Sequence, residues 1–296
     1  MNLASEGANP LPGRLLPRVY LMKTLASPFS GRLTALLLAV AAAAPVAAVS
    51  VRVTIENLSP AGGTFLTPFW VGFHNGTFDL YNSGSPISPA LERLAEDGTT
   101  GVVSSAFTGS GAGSMDATIL SGGPIPPFAP GAVSSMTFNL DPSSALNRYF
   151  SYASMVIPSN DAFIANGNPM AFPIFSNLGE FLGADFLVLG SQVLDAGSEL
   201  NDEVPSNTAF LGQMSPNTGV DENGVVHPHL GFLPPGSGGI LDIAQFINAD
   251  FTAADFQIAR ITLTQVPEAS AVGASSGLVA LSLLAWRRRQ AGARKS

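Results

Sequence analysis

The stretch 194-LDAGSELNDEVPSN-207 places Asp195, Glu199, Asp202 and Glu203 close together in a chain that is only 11% charged. Neighbouring carboxylates repel one another unless water or a cation offsets their charge. Two chemistries fit such crowding: oxygen coordination of a hard cation, or a solvated acidic loop. Asp195 and Glu199 lie four apart with Gly197 between them, so a turn can fold both carboxylates toward one point. Backbone carbonyls near Ala196 or Gly197, and water, would complete the shell of about six to eight oxygens that calcium takes. Asn201 and Asp202 stand beside it as outer groups. The chain has no cysteine, and an all-oxygen donor set disfavours zinc and copper.

Other candidates for chemistry are weaker. His227 and His229 in 225-VVHPHLGF-232 form a His-x-His, but Pro228 between them and the loop-like surroundings favour a surface turn over a transition-metal site. His74, in 73-FHNG-76, is expected to order the hairpin signalled there; as a proton carrier it would need a carboxylate or nucleophile partner, and none lies nearby in sequence. The pattern 273-GASSG-277 matches a nucleophile elbow in spelling only, because it lies in an apolar tail. Glu96-Asp97 could be imagined as glycosidase carboxylates, yet Asp97-Gly98 reads more naturally as a helix stop. No phosphate loop, His-Glu-x-x-His or dinucleotide fingerprint is present. The expected class is a non-catalytic binding module, with a secreted hydrolase using the acidic loop as the rival.

Both ends read as delivery devices. Met22-Lys23 and Arg32 precede 33-LTALLLAVAAAAPVAAVS-50, a small-residue apolar run ending in a plausible cleavage site at Ala48, so residues 1–48 are expected to be a signal peptide region, with Met22 an alternative start. At the other end, 266-VPEAS-270, the uncharged 271-AVGASSGLVALSLLAW-286 and 287-RRR-289 form a tripartite tail. That tail, residues 266–296, resembles the PEP-CTERM sorting signal of Gram-negative bacteria. The resemblance implies an inner-membrane helix held by the arginines until an exosortase-type enzyme processes it. Ala269 stands where that signal usually has a second proline.

Between the devices, residues 49–265 carry four basic residues (Arg52, Arg93, Arg148 and Arg260) against nineteen acids, a formal charge near −15. Such a field repels nucleic acid and anionic headgroups and attracts divalent cations. Membrane association is therefore expected only through the terminal segments.

The elements that must position the acidic loop are mostly strands. In 51-VRVTIENLSP-60, Val51, Val53 and Ile55 alternate with polar residues and predict a strand with one buried face. The aromatic-rich 64–84 contains Asn75-Gly76, a hairpin-like signal. One helix is expected, over 88-SPALERLAEDG-98, with Ser88 as cap, Pro89 at the first position and Gly98 as stop. Residues 108–132 hold too much Gly, Ser and Pro for regular structure apart from a short strand at 116–120. Strands are expected at 132–140, 149–157, 185–195 and 256–266. The sum is an all-β fold, an antiparallel β-sandwich with one short helix, flanked by N-terminal signal and C-terminal apolar helices.

Five segments together, 51-VRVTIENLSP-60, 68-PFWVGFHNGTFDLYNSG-84, 90-ALERLAEDG-98, 156-VIPSNDAFIANGN-168 and 194-LDAGSELND-202, resemble the spondin N-terminal domain of F-spondin, mindin and bacterial spondin-domain proteins. The resemblance covers roughly residues 50 to 265 and implies a β-sandwich with one calcium among the loops at one end. It carries metal-ligand roles onto Asp161, Asp195 and Glu199, the last a Glu where the family has Asp. It departs at Ala162, where the family has an aromatic, and in the missing cysteines. Together with the terminal segments it implies an exported calcium-binding module at the cell surface or in the extracellular matrix, and the resemblance of the tail to a sorting signal that usually accompanies exopolysaccharide production implies exopolysaccharide as the partner.

Overall fold

A computed structural model describes residues 47–267. The segments expected to be a signal region (1–48) and a sorting tail (266–296), but for two residues each, lie outside the described residues, and within these no helix is long and apolar enough to cross a membrane.

The strands are β1 (Val49–Asn57), β2 (Phe65–Leu66), β3 (Phe69–His74), β4 (Gly113–Ile119), β5 (Val133–Leu140), β6 (Tyr149–Ile157), β7 (Ala162–Ala165), β8 (Phe172–Pro173), β9 (Ala184–Leu189), β10 (Leu194–Asp195), β11 (His227–Pro228) and β12 (Gln257–Gln265). They form two antiparallel sheets. One runs β5-β1-β12-β9; the other runs β11-β10-β7-β6-β3-β4, with β2 and β8 also paired to β6. Val51, Val53 and Ile55 of β1 pack inward against Phe69, Phe73, Phe150 and Ile261, so the alternation in the sequence is the inner face of a sandwich.

The strand β3 is buried along its whole length, which accounts for its near-continuous apolar run. Phe69, Val71 and Phe73 fill the space between the sheets. Trp70 points the other way, into a second core beneath two helices, α1 (Pro89–Asp97) and α2 (Thr100–Ser110).

Helix α1 forms as its sequence predicts. The Ser88 hydroxyl accepts from Leu91 N–H, Pro89 opens the helix, and Gly98 closes it at φ 66°, where a Cβ would come within 2.6 Å of Thr67. Helix α2 corrects the expectation of a single helix. Its Thr, Gly and Val residues favour helix poorly, and it has no side-chain cap. It forms because Val103 and Phe107 are buried against Trp70 and Phe78.

Three local expectations change. No hairpin forms at Asn75-Gly76, because β3 pairs with the distant β4 and β6. The stretch 108–132 contains the end of α2 and all of β4, a strand longer and earlier than 116–120. The strand expected over 185–195 is β9, a 3-10 turn at Gly190–Gln192, and then β10 in the opposite sheet. That crossing from sheet to sheet delivers the acidic stretch to the end of the sandwich.

Candidate metal centre

Strand pairing brings the first two acids together. Asp161 ends the turn between β6 and β7, where Ser159 Oγ accepts from Ala162 N–H at 3.1 Å. Strand β10 pairs with β7 so that Asp195 opposes Ala162, and β11 pairs on the far side so that His227 opposes Asp195. Residues 161 and 195 are thereby held on adjacent strands although 34 positions separate them.

The loop then folds back over Asp161. Asp195 Oδ1 accepts from Gly197 N–H at 2.7 Å. Gly197 has φ 65°, and a Cβ there would come within 2.6 Å of the Val225 backbone, so the turn needs glycine. Three donors converge on Asp161 Oδ2: Ser198 N–H at 2.9 Å, Ser198 Oγ–H at 3.1 Å and Glu199 N–H at 3.0 Å. Its other oxygen, Oδ1, is buried with no hydrogen-bond partner among the described residues. Burial, then the charge of Asp195, push the Asp161 carboxyl up to about 7, against those three donors.

Glu199 belongs to the same loop but turns its side chain elsewhere. Its Oε1 accepts from Gly219 N–H at 2.9 Å, and Oε2 is buried without a partner. Its carboxyl is raised by burial, and the charges that reach it are Asp97, Arg93 and Asp202. The structure thus joins Asp161 to Asp195, while Glu199 touches Asp161 through its backbone N–H alone. All three are buried, at 0%, 3% and 3% exposure. Among the described residues no group of three or more His, Asp or Glu side chains is gathered closely enough to hold a metal ion.

A relay on the other side of Asp195 was not legible from sequence. Asn201 Nδ2 donates to Asp195 Oδ2, and His229 Nε2 lies 3.1 Å from Asn201 Oδ1. Because His229 Nδ1 accepts from Gly231 N–H at 3.0 Å, its proton sits on Nε2. His229 is buried, contrary to the surface turn expected, and burial lowers its pKa to about 4 although Asp195 opposes that shift. His227 is half-exposed, with Nε2 3.9 Å from Asp195 Oδ2. Asp202, expected as an outer group, instead accepts from Asn160, Val204 N–H and Asn207. Alternation at strand spacing, which places positions 227 and 229 on one face, was the available signal for the two histidines.

Beyond the loop lies a polar cleft of about 520 Å³, lined by Glu92 and Glu96 of α1 and by Ser198, Asn217, Asp221 and Gly224. Arg93 spans its edge, bonded to Asp97 at 2.5 Å and Asn217 at 2.8 Å and in contact with Glu96. Glu96-Asp97 is therefore an ion-paired helix end.

No family model matches this chain, and no curated protein matches it.

Proposed function

We propose that the domain is an exported, non-catalytic binding module of spondin type, in which one calcium ion tightens the acidic end of the sandwich. The observation that carries this reading is Asp161 Oδ1, a buried carboxylate oxygen without a donor, beside the second carboxylate of Asp195. Two like charges that close are costly in a buried setting and are offset by a divalent cation. The donor set is all oxygen, as calcium requires. Asp161 and Asp195 would hold the ion, and Glu199, whose Oε2 is also buried and unpartnered, is the third acid of the loop. The ion would supply charge neutralisation and rigidity. The chain's own residues position the carboxylates: Ser198 and the Glu199 backbone fix one oxygen of Asp161, and Asn201 and Gly197 orient Asp195.

Stiffened loops at one end of a sandwich make a recognition surface, and delivery by an N-terminal signal and a PEP-CTERM-like tail suits display at a cell surface or in an extracellular matrix. Exopolysaccharide is the partner class this reading favours.

Calorimetric titration of calcium into the full chain in mild detergent, parent beside Asp195→Asn, tests the site. We expect the parent to bind and its thermal midpoint to rise with free calcium, and the substitution to abolish both. Equal responses from the two proteins, or none from the parent, would overturn the assignment.

A further inference from the structure

Among the described residues the two sheet paths end in four strands, β11, β4, β5 and β9, and the first two of these are blunted. Strand β11 is two residues long and contains Pro228. Strand β4 lies against α2, with Thr100 Oγ1 2.7 Å from Thr118 Oγ1. Strand β5, eight residues without proline or charge, meets the turn at 121–126 where a Cβ on Gly122 would lie 3.8 Å from Ser134 Oγ, and it exposes Val133 and Met136. The fourth, β9, has six residues and carries neither proline nor lysine, and the one irregularity in its ladder lies on β12.

Which backbone groups of β9 face outward follows from its neighbours. Val266 N–H donates to Ser50 O and Leu58 N–H to Ile258 O, so even-numbered residues of β12 serve β1 and odd-numbered ones serve β9. Gly190 N–H donates to Phe256 O. Ala184, Phe186 and Val188 therefore bond inward, and Asp185, Leu187 and Leu189 present their N–H and C=O groups to the outside. Leu189 N–H is taken by Gln192 of the same chain at 2.8 Å. Those of Asp185 and Leu187 have no partner among the described residues.

The surroundings of this edge suit a copy of the same chain. Leu182, Leu187 and Leu189 are 54%, 44% and 38% exposed. An apolar cleft of about 370 Å³ opens beside Leu182, lined also by Phe172 and Phe186 among others. The outer face of this sheet carries Arg52, Glu56, Asp185 and Arg260, two charges of each sign, on a domain whose formal charge is near −15. Asp185, the only charge on β9, is held bidentately by Arg260 at 2.8 and 2.6 Å. Two strongly acidic bodies can approach most cheaply through such a neutral face.

We infer that β9 is the seat of a two-fold contact between copies of this chain, joined edge to edge so that two four-stranded sheets become one of eight strands. An antiparallel pairing centred on Phe186 sets Asp185 opposite Leu187 of the second copy and satisfies the N–H and C=O groups of both residues on each side. It also brings the two Phe186 rings together over the apolar clefts.

The absence of native cysteine makes the test clean. Leu187→Cys would place two thiols at diagonal positions about 7–8 Å apart across the contact, within reach of a short bis-maleimide. Met214→Cys, at a loop position 92% exposed, is the control. Both substitutions are made in the full chain in mild detergent, and circular dichroism checks that each folds. We expect a covalent dimer from Leu187→Cys and at most a trace from Met214→Cys. Equal cross-linking of both would mean non-specific association, and failure of Leu187→Cys to cross-link would remove the contact; either result overturns the inference.

Discussion

Between the sheets, Phe69, Phe73, Phe138, Phe150 and Ile261 are buried among apolar neighbours, and their backbone groups pair in continuous ladders. From Asp195 to Asp250 only β11 and a 3-10 turn at Ile240–Asp242 interrupt irregular chain, and the backbone needs other acceptors. Carboxylates supply them. Asp195 takes Gly197 N–H, Glu199 takes Gly219, Asp202 takes Val204, Glu203 takes Leu233 and Ile240, Asp242 takes Gly236 and Gly238, and Asp250 takes Thr252. The crowding of acids in 195–203 thus has a structural use apart from any cation. Each negative charge is spent on separate N–H donors, and the loop obtains order that strand pairing does not provide. The two regions differ in what fails first: the core depends on shape and apolar area, the loop on charged acceptors.

The largest effect that separates them comes from the core. Phe150→Ala removes a fully buried ring packed against Phe73 and Tyr152 and should cost about 3–5 kcal/mol. Denaturant unfolding should show one transition at lower midpoint, with core and loop lost together. If the loops melted unchanged, the two regions would be independent.

Next comes a buried titratable group outside the loop. His74 of β3 is bonded to Ser151 Oγ at 2.8 Å and accepts from Gly76 N–H at 3.0 Å, and burial lowers its pKa from 6.5 to about 4. A depressed histidine favours the neutral form in the folded state. Its contribution is therefore complete above pH 6.5 and is lost as pH falls toward 4, by about 3 kcal/mol in all. His74→Gln should remove that part of the acid sensitivity, read as the difference in stability between the two proteins at pH 7 and pH 4.5. The same slope in both would show that His74 is not the group responsible.

The smallest effect sharpens the contrast. Glu203→Ala leaves Leu233 and Ile240 N–H without their acceptor and should cost about 2 kcal/mol. Hydrogen exchange should quicken across 230–242 while amides of β1, β6 and β12 keep their protection. Loss of protection in those strands would mean that the loop and the core open as one unit.

Residue patterns alone determined the two-sheet, mostly β character of the domain, the capped helix α1, the inward face of β1 and the position of the acidic stretch after a strand. These depend on period-two alternation, on capping residues and on local charge, all of which act over a few residues. Tertiary structure decided what local signals contradict or omit. Helix α2 forms against its propensities because Val103 and Phe107 find Trp70. Asn75-Gly76 makes no hairpin because β3 is claimed by strands far along the chain. Asp161 meets Asp195 only through the pairing of β7 with β10, and the direction of the Glu199 side chain is set by Gly219 N–H. The free edge of β9 is likewise a property of sheet order. Contacts between distant segments depend on which surfaces the folded chain brings together, and no local spacing encodes them.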